Sequence, residues 1–161
     1  MDNFVKIAAG LDVGPALAEL ALQPREHWVQ INADASRYIP LLAGAGERQF
    51  EAELPEVWRL IDKVLAIVAA EHGDIGTISH ARVGLMPPGA GLAPHFDGID
   101  GIRERRYQLA LQSEVGVALT VGGEAKCLVP GDAWQIDASR THSVNNGSTA
   151  DRITILFDTQ T

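Results

Sequence analysis

The residues after about position 75 form a series of short strand-like runs with no helix between them, and this feature limits the fold most. The runs are too short to be helices, and glycine- and proline-rich turns such as 87–89 and 122–123 separate them. The runs cover 77–86, 107–112, 115–121, 125–129, 133–136, 142–145 and 153–157. Many short strands at this spacing predict a mainly β architecture, either a barrel or a sandwich.

The first part of the chain has a helical pattern instead. Pro55 suits the first turn of a helix, apolar residues follow at helical spacing as far as Val68, and Gly73 ends the run. A shorter helix is predicted over 15–22, and 28–40 is ambiguous. Because no linker-like tract separates the two parts, we expect one domain, 1–161, in which a helix-rich part (1–73) braces a strand-rich core (75–158).

Composition and charge exclude several classes of protein. The chain has 161 residues, of which 46% are apolar and 21% charged, as is usual for a soluble globular domain. Its formal charge of −8 repels polyphosphate, so nucleic acid is not expected as a partner. No stretch approaches the ~20 apolar residues of a membrane span, and the first residues do not resemble a signal peptide, which predicts a cytoplasmic protein without membrane contact.

The single cysteine, Cys127, rules out an internal disulfide. No second cysteine is present for zinc or redox chemistry. We therefore expect Cys127 to be a buried strand residue of a protein from a reducing compartment.

His95 and Asp97 are the first candidates for chemistry. Residues two apart on an extended strand point to the same face, so both side chains can aim into a barrel. Non-haem Fe(II) sites use two imidazoles and one carboxylate on one face of the ion and leave three positions open. The His-x-Asp pattern alone is a weak signal, because a single histidine is more often a core or surface residue. His142, which opens a predicted strand after the turn 138–141, is the best candidate for the second imidazole.

Arg152 adds a second kind of ligand group. It lies on the strand after His142, across the turn 145–148, and pairing of adjacent strands returns it to the side of the metal. A guanidinium there can grip the far carboxylate of a dicarboxylate cosubstrate, while the keto-acid end of that molecule chelates iron. The alternative is a strand-edge arginine paired with Asp151 or with solvent.

These motifs together resemble the aspartyl/asparaginyl β-hydroxylase family of Fe(II)/2-oxoglutarate-dependent dioxygenases. The resemblance covers about half of the chain and rests, in order, on MPPGAGLAPHFD (86–97), RRYQLAL (105–111), GDAWQIDASRTHSVNN (131–146) and DRITILFD (151–158). It implies a double-stranded β-helix, the jelly-roll fold also found in cupins. It also implies hydroxylation of an unactivated C–H bond with Fe(II), 2-oxoglutarate and O2, and release of succinate and CO2.

The resemblance assigns roles to individual residues. His95, Asp97 and His142 would bind the metal, and Arg152 would bind the far carboxylate of 2-oxoglutarate. Arg106 matches an arginine that helps to hold 2-oxoglutarate in relatives; its alternative is a solvated charge in the cluster 103–106.

Three departures from the family pattern concern the same site. Gln108 stands where relatives usually carry a histidine, and it can donate a hydrogen bond but cannot carry charge. Gly84 stands where some relatives have a serine that contacts the cosubstrate. Asp97 is present, as in the bacterial members that hydroxylate free amino acids, whereas the best-known animal members lack this carboxylate. Asp137 is interpreted as fixing the turn before His142, or accepting a hydrogen bond from it, and not as a further ligand.

The substrate is not readable from the sequence. The resemblance offers an aspartyl or asparaginyl side chain, or a free amino acid such as proline, and the compact chain favours a small molecule or a short peptide. Arg103, Arg105 and Arg140 lie on loops next to the predicted ligands and are predicted to attract an anionic substrate.

A cupin-like metal protein is the alternative: an isomerase, a cosubstrate-free dioxygenase or a non-catalytic sensor. Such proteins usually present a His-x-His pair with a further Glu and His, and this chain contains no His-x-His. The edge strands of a small barrel can pair with a second copy of the chain, so a homodimer is compatible with the sequence.

Overall fold

The computed structural model describes residues 2–44, 46–98 and 103–161. Its strands are β1 (Phe4–Ala8), β2 (Val29–Gln30), β3 (Arg37–Pro40), β4 (Leu42–Ala43), β5 (Glu47–Arg48), β6 (Thr77–Met86), β7 (Gly91–His95), β8 (Glu104–Gln112), β9 (Val117–Val121), β10 (Glu124–Lys126), β11 (Ala133–Ile136), β12 (His142–Asn146) and β13 (Arg152–Gln160). The helices are α1 (Gly14–Ala21) and α2 (Pro55–His72), with a short 3-10 helix over Arg25–His27.

The strands form two principal antiparallel sheets. The large sheet has the order β1-β11-β8-β13-β6-β3-β2, the small sheet the order β10-β9-β12-β7, and β4 pairs with β5 separately. Seven of the strands lie at or within a few residues of the predicted runs, and β6 and β11 match them at both ends. The predicted mainly β architecture is confirmed.

The two helices cover the outer face of the large sheet. Leu60, Ile61 and Val64 of α2 are fully buried and belong to one core cluster with Val83, Ile155 and other outward-facing strand residues. Pro55 begins α2 and Gly73, at φ 76°, ends it, as predicted. The two helices therefore pack against the strand-rich core. The organisation of 1–161 as one domain stays a prediction.

The other face of the large sheet looks toward the small sheet. A second core cluster, which includes Leu119, Val121 and Val144 from the small sheet and Ala110 and Ile136 from the large one, fills part of the space between them. The central strands β8 and β13 are buried along almost their whole length because both faces are covered. Polar side chains on their inner face therefore lie in the interior.

The interpretation of 1–73 as helix-rich was incomplete. β1 pairs with β11 at one edge of the large sheet, and the ambiguous segment 28–40 contributes β2 and β3 at the other edge. These edge strands are short and lack a regular alternation of buried and exposed residues. Their extended conformation depends on pairing with distant strands, which a local pattern does not reveal.

The prediction for Cys127 was wrong, because this residue is exposed. The strand expected over 125–129 is β10, which ends at Lys126 at the edge of the small sheet. The Cys127 thiol follows that strand and donates a hydrogen bond to the Glu114 carbonyl oxygen at 3.2 Å.

No helix within the described residues combines the length and the apolar character needed to cross a membrane.

Candidate metal centre and the cavity around it

The three predicted metal ligands come together at one end of the small sheet. His95 is the last residue of β7 and His142 the first of β12, and the two are directly paired in the antiparallel register. Their ring centroids are 4.3 Å apart. Asp97 follows two residues after His95, and one ligand atom from each of the three side chains lies within 4.8 Å of the others.

The hydrogen bonds of the two histidines fix which ring nitrogen faces the centre. His95 Nδ1 lies 2.8 Å from the Ala93 carbonyl oxygen, and His142 Nδ1 lies 2.9 Å from the Arg140 carbonyl oxygen. A carbonyl can only accept, so each Nδ1 carries a proton, and Nε2 is the nitrogen through which each ring can bind a metal. The two Nε2 atoms lie 3.5 and 3.4 Å from the carboxylate oxygens of Asp97, so three donor atoms converge on one point.

Asp137 organises the turn that leads to His142. Its carboxylate accepts hydrogen bonds from the backbone N–H of Ser139 at 3.2 Å, from the Ser139 hydroxyl and from Arg140 Nε at 3.0 Å. These bonds hold the turn whose Arg140 carbonyl orients the His142 ring. Asp137 therefore has the turn-fixing position that the sequence predicted.

Arg106 lies behind the candidate ligands in a buried ion-pair network. Its Nε and Nη2 donate to the two carboxylate oxygens of Asp158 at 2.8 and 2.7 Å, and its Nη1 donates to Asp97. Burial acts to lower the pKa of Arg106, but Asp158 and Asp97 outweigh it and raise this pKa. Partial burial acts to raise the pKa of Asp97, but Arg106 and the two histidines lower it overall, so the carboxylate stays ionised.

A cavity opens from this cluster between the two sheets. The residues that line it come from both sheets and from the segment before β3. They include His95, His142, Arg106, Gln108 and Arg152. Four of the predicted metal and cosubstrate residues and Gln108 thus share one cavity.

Arg152 and Gln108 form a second polar group in this cavity. Arg152 Nη2 donates to Gln108 Oε1 at 2.9 Å, and within the described part of the chain no carboxylate lies within ion-pair distance of Arg152. Burial lowers the pKa of Arg152 to about 10. The hydroxyls of Thr154 and Ser36 line the same cavity, buried and without a hydrogen-bond partner. Such orphaned donors in a folded interior call for a bound group.

Gly84 leaves room beside these groups. It pairs directly with Thr154 across β6 and β13, and a Cβ added at Gly84 would make only an ordinary 3.9 Å contact with the Thr154 carbonyl oxygen. The missing side chain at this position is therefore open space lined by the Thr154 hydroxyl.

The three arginines predicted to meet the substrate lie elsewhere. Within the described residues, none of Arg103, Arg105 and Arg140 lines the cavity. Arg140 pairs with Asp137 at 3.0 Å, and Arg105, which neighbours inward-facing Arg106 on β8, points to the opposite face of the sheet. Their role stays a prediction; the segment 99–102 before Arg103 is outside the described residues.

Sequence reasoning overlooked four polar residues of the interior: Arg82, Thr154, Asp158 and Ser36. A signal for three of them exists in the strand period. Arg82 lies two residues from Gly84 on β6, and Thr154 and Asp158 lie two and six residues from Arg152 on β13. Residues separated by an even number on a strand point to the same face, so all three side chains point to the inner face. Ser36 precedes β3 in the ambiguous segment and carries no such signal.

Comparison with known proteins agrees with this architecture. Residues 33–161 match the family model of aspartyl/asparaginyl beta-hydroxylase. The prolyl-4-hydroxylase of Pseudomonas putida superimposes with a TM-score of 0.68 at 14% identity, over 98% of this chain and 92% of that one. The viral collagen prolyl hydroxylase of Paramecium bursaria chlorella virus 1 gives 0.70 at 11% identity, over 99% and 97%.

Two further similar proteins have other activities. The non-haem alpha-ketoglutarate-dependent epimerase SnoN of nogalamycin biosynthesis superimposes with a TM-score of 0.72 at 18% identity, over 98% of this chain and 77% of that one. Digeranylgeranylglycerophospholipid reductase 1 of Methanopyrus kandleri is 29% identical over 117 residues, which are 71% of this chain, and the match spans only 30% of that relative's length.

The structural likenesses, all at low identity, confirm the predicted jelly-roll fold, and the family-model match covers most of the sequence. The chain belongs to the aspartyl/asparaginyl β-hydroxylase family.

Proposed function

We propose that this protein is an Fe(II)/2-oxoglutarate-dependent dioxygenase that hydroxylates an unactivated C–H bond of an amino acid, a peptide or an aspartyl or asparaginyl side chain. One observation carries the proposal: the cluster of His95, Asp97 and His142 opens onto a cavity that holds an arginine, Arg152, with no carboxylate partner among the described residues. Membership of the hydroxylase family supports the same reaction class.

The residues present fit an Fe(II) ion. Two neutral imidazole nitrogens and one ionised carboxylate are the donor set of facial non-haem iron sites, which leave positions open for other ligands. Hydrogen bonds from both Nδ1 atoms to backbone carbonyls hold the rings in the tautomer that a metal requires. Arg106 pairs with the carboxylates of both Asp97 and Asp158, and its positive charge balances one of their two negative charges. The two imidazoles stay available to the metal.

The residues present also fit 2-oxoglutarate. Arg152 offers N–H groups beyond the one used by Gln108, and the Thr154 hydroxyl lies on the next inward-facing position of the same strand. Thr154 faces the space left by Gly84, where relatives carry the serine that this chain lacks. A dicarboxylate supplies acceptors for both groups.

Fe(II) with 2-oxoglutarate and O2 supplies the oxidant: 2-oxoglutarate becomes succinate and CO2, one oxygen atom of O2 enters succinate and the other enters the C–H bond. The protein's own residues hold the reactants. His95, Asp97 and His142 bind the metal, Arg152 and Thr154 orient the cosubstrate, and apolar residues such as Leu92, Val144 and Leu156 exclude water from the cavity.

The partners that we propose are small molecules or peptides, because the cavity lies inside a single chain. We also propose a cytoplasmic location, for which the exposed and unpaired Cys127 is support, since such a thiol persists in a reducing compartment. A homodimer is compatible with this proposal.

In the cupin-like alternative, Arg152 has no function. A cosubstrate-free isomerase, dioxygenase or sensor requires the metal cluster but not an arginine without a carboxylate partner in the same cavity. The arginine therefore favours a dicarboxylate cosubstrate.

An anaerobic titration of the metal-free protein with Fe(II) and then 2-oxoglutarate tests the proposal. We expect the weak visible charge-transfer band that arises when a keto acid chelates Fe(II), in the wild type but not in His95→Ala. Iron binding without the band would reject the proposal and favour the cupin-like alternative.

A further inference from the structure

We infer that Arg82 is the anchor for a carboxylate of the substrate, so that the substrate class is a small molecule or peptide with a free carboxylate near the C–H bond that reacts. The inference rests on the proposed function and identifies a residue that neither the family motifs nor the predicted substrate arginines include.

The charge of the cavity lining points to an anionic ligand. Four arginines line it, Arg37, Arg82, Arg106 and Arg152, and no aspartate or glutamate of the described residues does so. This occurs in a chain with a formal charge of −8. A cationic interior in an acidic protein needs anions to compensate it.

Among the four arginines of this lining, Arg82 is the interior one to which neither a carboxylate of the described residues nor the cosubstrate is assigned. Arg106 is bound by Asp158 and Asp97, and Arg152 is assigned to the cosubstrate. Arg37 is exposed at the rim, where its guanidinium lies 5.1 Å from the centre of the Trp28 ring, so solvent screens its charge.

Arg82 itself is partly buried and has no acceptor in the described part of the chain. Its guanidinium carbon lies 5.8 Å over the centre of the Tyr38 ring, a contact that offsets charge but supplies no hydrogen-bond acceptor. Burial and the nearby Arg106 lower the pKa of Arg82, and Asp158, Asp97 and Tyr38 offset this only in part.

The register separates the backbone of Arg82 from that of the cosubstrate anchor, Arg152, and places Arg82 in the same row as Gln108. Arg152 pairs with Met86, so about 13 Å of β6 backbone, at ~3.3 Å per residue, separates the partner of Arg152 from Arg82, although burial and the nearby charge of Arg82 both act to lower the pKa of Arg152. Leu156 pairs with Arg82 on one side and with Gln108 on the other, which puts Arg82 two strands from Gln108 on the same inner face. A cosubstrate held by Arg152 therefore leaves Arg82 for a second anion.

The test compares carboxylic acids with their neutral amides. We would use calorimetric titration of the anaerobic Fe(II)- and 2-oxoglutarate-loaded protein, which does not turn over. The probe pairs are butyrate and butyramide, L-proline and L-prolinamide, and N-acetyl-L-aspartate amide and N-acetyl-L-asparagine amide. At least one acid should bind roughly tenfold more tightly than its amide, because a charged hydrogen-bonded pair forms.

Three variants test whether Arg82 causes the tighter binding of the acid. Arg82→Gln should abolish it, Arg82→Lys should keep part of it, and Arg37→Gln, which removes the exposed arginine of the same cavity, should leave it intact. The inference is overturned if no acid binds more tightly than its amide, if the preference survives in Arg82→Gln, or if Arg82→Gln weakens 2-oxoglutarate binding to the same extent.

A further titration separates this inference from the proposed function. If the wild type shows no charge-transfer band, the proposed function fails. The same acid and amide pairs, titrated into metal-free wild type and Arg82→Gln, then decide whether Arg82 binds carboxylates.

Discussion

At the scale of single residues, the interior of this protein is governed by how each buried charge is compensated. Among the described residues, Arg106 contacts two carboxylates, Arg152 an amide oxygen and Arg82 an aromatic ring. The compensated arginine stabilises the fold, and the uncompensated ones are available to ligands. This difference makes opposite predictions for substitution.

Asp158→Asn should destabilise the metal-free protein by about 3 kcal/mol, because it leaves the buried Arg106 charge with one carboxylate instead of two. Urea unfolding measures the loss. The matched control is Asp62→Asn, which breaks the other Arg–Asp bidentate pair, formed with Arg48 on the surface, and should cost less than about 1 kcal/mol. Equal losses in the two variants would show that burial of the Arg106 pair does not matter.

Arg152→Ala, unlike Asp158→Asn, should have little effect on the free energy of unfolding. It should weaken 2-oxoglutarate binding by at least ~2 kcal/mol, because a bidentate charged pair is lost. The concentration of 2-oxoglutarate that gives half of the charge-transfer band measures this loss. Arg59→Ala, an exposed arginine of α2, serves as the control. An unchanged affinity in Arg152→Ala would remove this arginine from the site.

At the scale of elements, α2 holds the large sheet in place. Leu60 is fully buried between α2 and the outer face of this sheet, so Leu60→Ala should lower the free energy of unfolding by about 2–5 kcal/mol. Leu22, which is 83% exposed just after α1, provides the control, and Leu22→Ala should be almost neutral. Thermal unfolding of both variants measures the difference; a neutral Leu60→Ala would contradict the packing described.

At the scale of the whole molecule, the cavity joins both sheets, so its ligands should stabilise the entire fold. Fe(II) and 2-oxoglutarate at 100 times their dissociation constants should each add roughly 2.7 kcal/mol to the stability of the native state. The melting temperature, measured anaerobically with and without both ligands, should rise for the wild type and for His72→Ala, whose imidazole is exposed at the end of α2. His142→Ala should show little of this rise, and a full rise would place the metal elsewhere.

The sequence by itself determined the strand-rich core, α2 and the set of candidate ligands, because these depend on local period, on turn chemistry and on motifs in a fixed order. His95 and Asp97 were found from their spacing of two residues, although β7 ends at His95 and Asp97 lies just beyond the strand, and Arg152 needed only one turn between neighbouring strands.

Tertiary structure alone decided the rest. β1 and β3 are extended because β11 and β6 pair with them, Cys127 is exposed because β10 ends at the edge of a sheet, and Arg140 turns to Asp137 instead of the cavity. The compensation of Arg106 by Asp158 joins residues 52 apart in sequence. Pairing and charge compensation over such distances depend on which strands become neighbours, and no local pattern in the sequence carries that information.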